Sequence, residues 1–187
     1  MELTAAYIAS QILTIAMYVT LAISYYMKDR TKILLINFLG CLLIGLAYLL
    51  LSAYTGAVMA LISVIRNIIF LIDEKKNGKS EKIVKKDIYI LIFIYLIIVI
   101  VTIPTYNSLL SLLSVFATSL FTFSVWQKKT IIYKALGIPI SSLWIAYNIY
   151  VLSLFGFVLE SIILIFALSG FIIEKKKRKN RRIKWKK

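Results

Sequence analysis

Seven apolar runs, at roughly 6–27, 33–52, 55–72, 88–104, 108–126, 131–152 and 154–173, are separated by breaks of two kinds that alternate along the chain. One kind is charged: KDRTK (28–32), DEKKNGKSEKIVKKD (73–87), QKKT (127–130) and the tail EKKKRKNRRIKWKK (174–187). The other carries no charge: SAYT near 52–55, PTYN at 104–107 and SLFG at 153–156. A helix needs about 20 largely apolar residues to cross the hydrocarbon, and Lys and Arg gather on the cytoplasmic side. Of the 23 basic residues, three lie in 28–32, six in 73–87, three in 128–134 and ten in the tail, which leaves only Arg66. Seven crossings put all but Arg66 on one side. The expected architecture is an all-α integral membrane protein with its N-terminus outside and its C-terminus in the cytoplasm. Merging 33–72 into one helix breaks the alternation, and 88–104 is the shortest of the runs.

Composition agrees. The chain has 187 residues, 61% of them hydrophobic, and a mean hydropathy of +0.89. A soluble domain of this length is nearer half apolar, so lipid is the expected solvent for much of the surface. The net charge of +15 would suggest nucleic acid in a soluble protein. Its placement suggests instead an inner-side anchor that contacts anionic lipid head groups, at about 1 kcal/mol per basic residue; no nucleic-acid partner is expected, and Trp185 suits an interfacial position. There is no His and a single Cys, Cys41, which excludes an internal disulfide, leaves no zinc set, and makes Cys41 a packing residue. The beginning, MELTAAY, lacks the positive charge of a secretory signal. Ala22-Ile23-Ser24 loosely resembles a cleavage site, but 6–27 is long enough to be a retained first helix.

Sliding the chain by 99 residues brings Asp29-Arg30-Thr31 onto Lys128-Lys129-Thr130 and Ala47-Tyr48 onto Ala146-Tyr147. After one inserted residue, an offset of 100 brings Gly56 onto Gly156, Ile62 onto Ile162, and Glu74-Lys75-Lys76 onto Glu174-Lys175-Lys176. The expected layout is therefore 3+1+3, two parallel three-helix repeats joined by a linker helix. The first repeat is 1–76, the loop and linker helix 77–107 (helix 88–104), the second repeat 108–174, and the basic cytoplasmic tail 175–187. In this register Gly40 meets Pro139. Both residues weaken a helix near mid-membrane, which makes them candidate hinges, while Gly40 also suits close helix packing.

Arg66 lies ten residues past Gly56, about 15 Å into its helix. A charge at that depth costs several kcal/mol unless it is offset. Glu160, four residues past Gly156, is about 6 Å down. Side chains lean toward the helix N-terminus, so Arg66 reaches toward the level of Glu160, and a direct or water-bridged pair between the repeats is expected. Gln11, Asn148 and Asn67 fall at similar depth, although Asn67 points about 100° away from Arg66. Tyr48, Trp144 and Tyr147 are candidate aromatic walls. The candidate substrate-binding set is thus Arg66, Glu160, Asn67, Asn148 and Gln11. The other reading is a polar network that holds helices together and passes nothing; Asn37 belongs to that weighing too.

Gln11, Ile65-Arg66-Asn67, and Trp144 to Asn148 followed by Gly156-Phe157-Val158-Leu159-Glu160 resemble the YgjV family of bacterial inner-membrane proteins, over nearly the whole chain to about residue 174. The resemblance implies a place in the bacterial cytoplasmic membrane and a multi-pass topology rather than an activity. Tyr147 stands where other members of that family carry His, so a proton-handling imidazole is not expected. The 3+1+3 layout is more remotely similar to SWEET sugar transporters and PnuC vitamin-precursor transporters, without their signature motifs.

The function expected from these features is a small-solute transporter with a polar site between the repeats, taking a small polar or anionic solute. The alternative is a non-transporting membrane protein whose intramembrane Arg and Glu hold the bundle together. An enzyme is not expected: paired carboxylates are absent, and Ser141-Ser142 lack a base. No cofactor is implied, and a homo-oligomer is compatible with such a chain.

Overall fold

The computed structural model describes residues 5–52, 54–77, 83–103, 112–150 and 154–184. Among these there are seven helices and no strand: α1 (Ala5–Ser24), α2 (Arg30–Leu50), α3 (Tyr54–Asn77), α4 (Lys85–Thr102), α5 (Leu112–Trp126), α6 (Thr130–Tyr150) and α7 (Leu154–Lys184). Each expected run holds one helix. The helices α3 and α7 continue past the ends of their runs at 72 and 173, because Lys, Arg and Glu are good helix formers. Hydropathy marks where a helix leaves lipid, not where it ends. The turn PTYN at 104–107 lies outside the described residues.

Among the described residues, α1, α2, α6 and α7 (over Leu154–Asn180) are long and apolar enough to cross a membrane. Of the other helices, α4 opens on Lys85-Lys86-Asp87 and α5 spans 15 residues. Outward faces are aliphatic: Ile8, Ile12, Ile15, Val19 and Ile23 line α1, and Val158, Ile162, Ile165, Leu168 and Ile172 line α7, all exposed. Buried positions include Ser10, Asn37, Asn67, Ser141 and Glu160. Apolar outside with polar inside is the inverse of a soluble protein, and suits a chain whose solvent is lipid.

The chain forms two compact units, Met1–Ser80 and Glu81–Lys187. In the first, α2 packs between α1 and α3. Gly40 sits against α1 so closely that a Cβ there would fall 2.8 Å from Thr20 Oγ1, a hydroxyl already tied to the Met17 carbonyl at 2.6 Å. The α2–α3 turn passes through Ser52, which takes a φ of 55°, and Gly45 meets Ala60, where an added Cβ would lie 3.3 Å away.

In the second unit, α6 packs between α5 and α7. Pro139 is inside α6, which runs unbroken through it, with its side chain facing outward. Helix α4 joins this unit through Asp87, at its first turn. Its carboxylate pairs with Lys128 at 2.8 Å and its carbonyl accepts from Trp126 Nε1 at 2.9 Å, while the carboxylate also caps its own helix by accepting from the Val84 backbone N–H at 2.9 Å. Further along, the Tyr95 hydroxyl donates to the Ser119 carbonyl at 3.1 Å.

Candidate functional site

The α2–α3 seam has three levels, set by α3 residues seven apart: Ala60, Asn67 and Glu74. A spacing of seven keeps side chains on one stripe of a helix, and all three are buried. At one end Ala60 meets Gly45. At the other Glu74 forms an ion pair with Arg30 at the start of α2, with both side chains 7% exposed. Between them Asn67 is fully buried, and its Nδ2 donates to Cys41 Sγ at 3.4 Å.

Arg66 precedes Asn67 and is 3% exposed. Despite the 100° offset between consecutive residues, both side chains are therefore buried. Arg66 lies eight residues before Glu74, about 12 Å along the helix. Its charge acts electrostatically on the Cys41 thiol. Three buried atoms of this pair make no hydrogen bond: Arg66 Nε and Nη2, and Asn67 Oδ1. Arg66 also has an interaction elsewhere, so what is open is one part of its guanidinium. A buried polar atom left unsatisfied costs about 1–3 kcal/mol, more when charged.

The remaining sequence candidates fall as follows. Gln11, half-buried on α1, donates to Ser10 Oγ at 3.4 Å; Asn37 is buried on α2 one turn before Cys41. In the second unit, Asn148 Nδ2 donates back to the Trp144 carbonyl of its own helix at 2.9 Å, and Trp144 packs edge-on to Tyr147 at 5.7 Å between ring centroids. Glu160 is 6% exposed and shares a stripe of α7 with Ala167 and Glu174, again seven apart. The structure thus brings Arg66, Asn67 and Cys41 together inside the first unit. Glu160 and Asn148 belong to the second, and the Arg66–Glu160 pair expected from the sequence would join residues of different units.

What sequence reasoning missed is the set of charge clamps at the basic helix ends. Beside Arg30–Glu74 and Asp87–Lys128, Glu174 accepts from Lys134 Nζ at 3.3 Å and from Arg178 Nε at 3.3 Å. Lys134 is 2% exposed, an unusual burial for a lysine, and its pairing with Glu174 offsets part of that cost. Reading these charges only as markers of sidedness hid their role. The seven-residue spacing 60–67–74 and 160–167–174 is the signal that would have placed Glu74 and Glu174 on buried stripes.

A family model described as Imp-YgjV, bacterial inner membrane protein, matches residues 7–178. The chain belongs to this family. The match runs from α1 into the basic extension of α7 and so takes in both units and every candidate site residue. Membership gives the location, the bacterial inner membrane, and agrees with the resemblance carried by Gln11, Ile65-Arg66-Asn67 and Gly156 to Glu160. No curated protein and no solved structure matches the chain.

Proposed function

We propose that the protein is a carrier for a small polar or anionic solute, with Arg66 and Asn67 at its binding site. The observation that supports this reading is the open hydrogen-bonding capacity at mid-helix: Arg66 Nε, Arg66 Nη2 and Asn67 Oδ1 are buried and make no hydrogen bond. A side chain that serves only to glue helices is expected to satisfy its donors and acceptors against its neighbours. Groups kept dry and unsatisfied deep in a helix bundle are suited to a ligand that arrives and leaves.

The architecture proposed around this site is seven crossings in a 3+1+3 repeat, N-terminus outside and C-terminus in the cytoplasm, with α4 as the linker. Its support is a consistent offset of 100. The helices α2 and α6 start at Arg30 and Thr130, and α3 and α7 start at Tyr54 and Leu154. Buried positions follow the same offset: Ile33, Leu34, Asn37 and Gly40 answer to Tyr133, Lys134, Gly137 and Ile140. At this offset Gly40 answers to Ile140 rather than Pro139, which separates the two hinge candidates. The tight Thr20 contact suits Gly40 to packing, and Pro139 is kept as the compliant point of α6. Gln11 accompanies Arg66 and Asn67 in the first unit, Glu160 and Asn148 are the polar candidates of the second, and the basic end of α7 contacts anionic head groups.

A second reading, a bundle held together by its polar groups with nothing transported, is favoured by the Asn67–Cys41 hydrogen bond across α2 and α3. Uptake into proteoliposomes separates the two. The carrier reading expects solute flux above empty vesicles, lost in Arg66→Ala with the variant still folded. Flux unchanged in that variant removes Arg66 from the mechanism. Failure of every polar and anionic solute to cross or to bind leaves the structural reading.

A further inference from the structure

The two Arg66 atoms without hydrogen bonds are not arbitrary. Nε and Nη2 form one edge of the planar guanidinium, the edge turned away from Cδ, and their N–H bonds run nearly parallel. That edge grips a planar two-oxygen anion through two hydrogen bonds at once, which a lysine ammonium cannot do. Asn67, the next residue, spends one end of its amide on Cys41 Sγ and leaves the other end buried without a partner. From these observations we infer that the ligand is a small carboxylate bearing a hydroxyl or amino group next to the carboxylate carbon. The carboxylate docks side-on against Nε and Nη2 of Arg66, and the neighbouring polar group meets the open end of the Asn67 amide.

Charge assistance favours the same class. A carboxylate offers that edge two charged acceptors in one plane, which a neutral solute of the same size does not. Both side chains are closed off in this conformation, Arg66 at 3% and Asn67 at 0% exposure, so entry requires the helices around them to part. The inference concerns that edge alone, since Arg66 also interacts elsewhere. It rests on the carrier reading of the same two residues, and it narrows the substrate class.

The test is calorimetric titration of the full chain in lipid nanodiscs with three probes of similar size: lactate (carboxylate and hydroxyl), propionate (carboxylate alone) and lactamide (hydroxyl, no charge). Lactate should bind, propionate should bind about 2–10-fold more weakly for want of one neutral hydrogen bond, and lactamide should not bind. Arg66→Lys keeps the charge and removes the edge, and should weaken lactate about tenfold or more. Asn67→Leu, which does not touch the charge, should equalise lactate and propionate. It keeps the inference testable if the arginine variant does not fold. Lactamide binding as well as lactate, or no carboxylate binding to the wild type, overturns the inference. Counterflow of labelled lactate separates this from the carrier reading. Binding without flux removes transport and leaves the site, whereas Arg66-dependent flux of an uncharged solute without carboxylate binding removes the carboxylate and leaves transport.

Discussion

Replacing Arg30 with threonine strips Glu74 of the base at the start of α2. Both side chains are 7% exposed, so Glu74 would be left with its charge largely out of water. Removing one partner of a buried pair costs about 3–5 kcal/mol. This pair sits at helix ends, near the aqueous boundary, so the lower end applies, about 3 kcal/mol. For a chain of this size that is a fall of about 6–12 °C in unfolding midpoint. The repeat proposed above suggests how to restore it. In that register, at the offset of 100, Thr130 answers to Arg30, Lys134 to Leu34 and Glu174 to Glu74. Glu174 takes its proton donor from Lys134 at 3.3 Å, so the base stands one helical turn further along its helix than Arg30 does. The double variant Arg30→Thr/Leu34→Lys copies the second unit's solution into the first and should recover most of the lost stability. Leu34→Lys alone should not stabilise, because Leu34 is fully buried and Glu74 already has Arg30. The measurement is thermal unfolding in detergent, followed by loss of the monodisperse peak on size exclusion. A double variant no more stable than Arg30→Thr refutes the equivalence of the two clamps. A single variant within about 2 °C of wild type refutes the energetic weight given to the pair.

Three further outcomes are expected. Gly40→Ala puts a methyl group 2.8 Å from Thr20 Oγ1 and should cost about 1–3 kcal/mol by overpacking; adding Thr20→Ala should restore the midpoint, which fixes the contact as the cause. Asp87→Asn removes the Lys128 partner at 2.8 Å and should cost about 3 kcal/mol, whereas Trp126→Phe, which loses one hydrogen bond to the Asp87 carbonyl, should cost about 1 kcal/mol; equal effects in a melt of the two variants would show that the charge pair adds nothing. A cysteine introduced by Asn180→Cys in a Cys41→Ala background should react with a membrane-impermeant maleimide only in inverted vesicles, and labelling of intact cells would overturn the orientation read from the basic residues.

The helices were legible because lipid imposes a simple requirement: a run of about 20 apolar residues between polar breaks. All seven runs carry a helix for that reason. The charged helix ends were less legible. Nothing in the run DEKK at 73–76 says by itself that Asp73 and Glu74 face inward while Lys75 and Lys76 face out, as their burial shows. That follows only once α3 is set against α2, and Arg30 and Glu74 are 44 residues apart. Arg66 and Asn67 were legible as polar residues in an apolar run, but not their joint burial. A strict helical wheel turns one of them away: Asn67 lies on the buried stripe, and the long, flexible side chain of Arg66 lets it be buried too. The role of Cys41 was invisible for a similar reason, since a thiol becomes a hydrogen-bond acceptor only when an amide on another helix is brought to it.

On the carrier reading proposed above, the order of contacts along α3 constrains how the site opens. Glu74 is held by Arg30 at one end, and Ala60 packs against Gly45 at the other, fourteen residues and about 21 Å away. The first contact is an ion pair, strong and directional. The second is a contact between two small groups, made of dispersion alone, and each atom pair in it contributes only about 0.1–0.2 kcal/mol. In that reading the Gly45–Ala60 end is expected to yield before the Arg30–Glu74 end. Arg66 and Asn67, about 12 Å and 10 Å from Glu74 along the helix, would then move by roughly half the displacement at Ala60, and the weak 3.4 Å Asn67–Cys41 hydrogen bond would part before the clamp does. The expected outcome is that bulk introduced at Gly45 raises labelling of a cysteine placed beside Arg66, whereas weakening Arg30–Glu74 alone does not; equal labelling of the two variants refutes this order of opening.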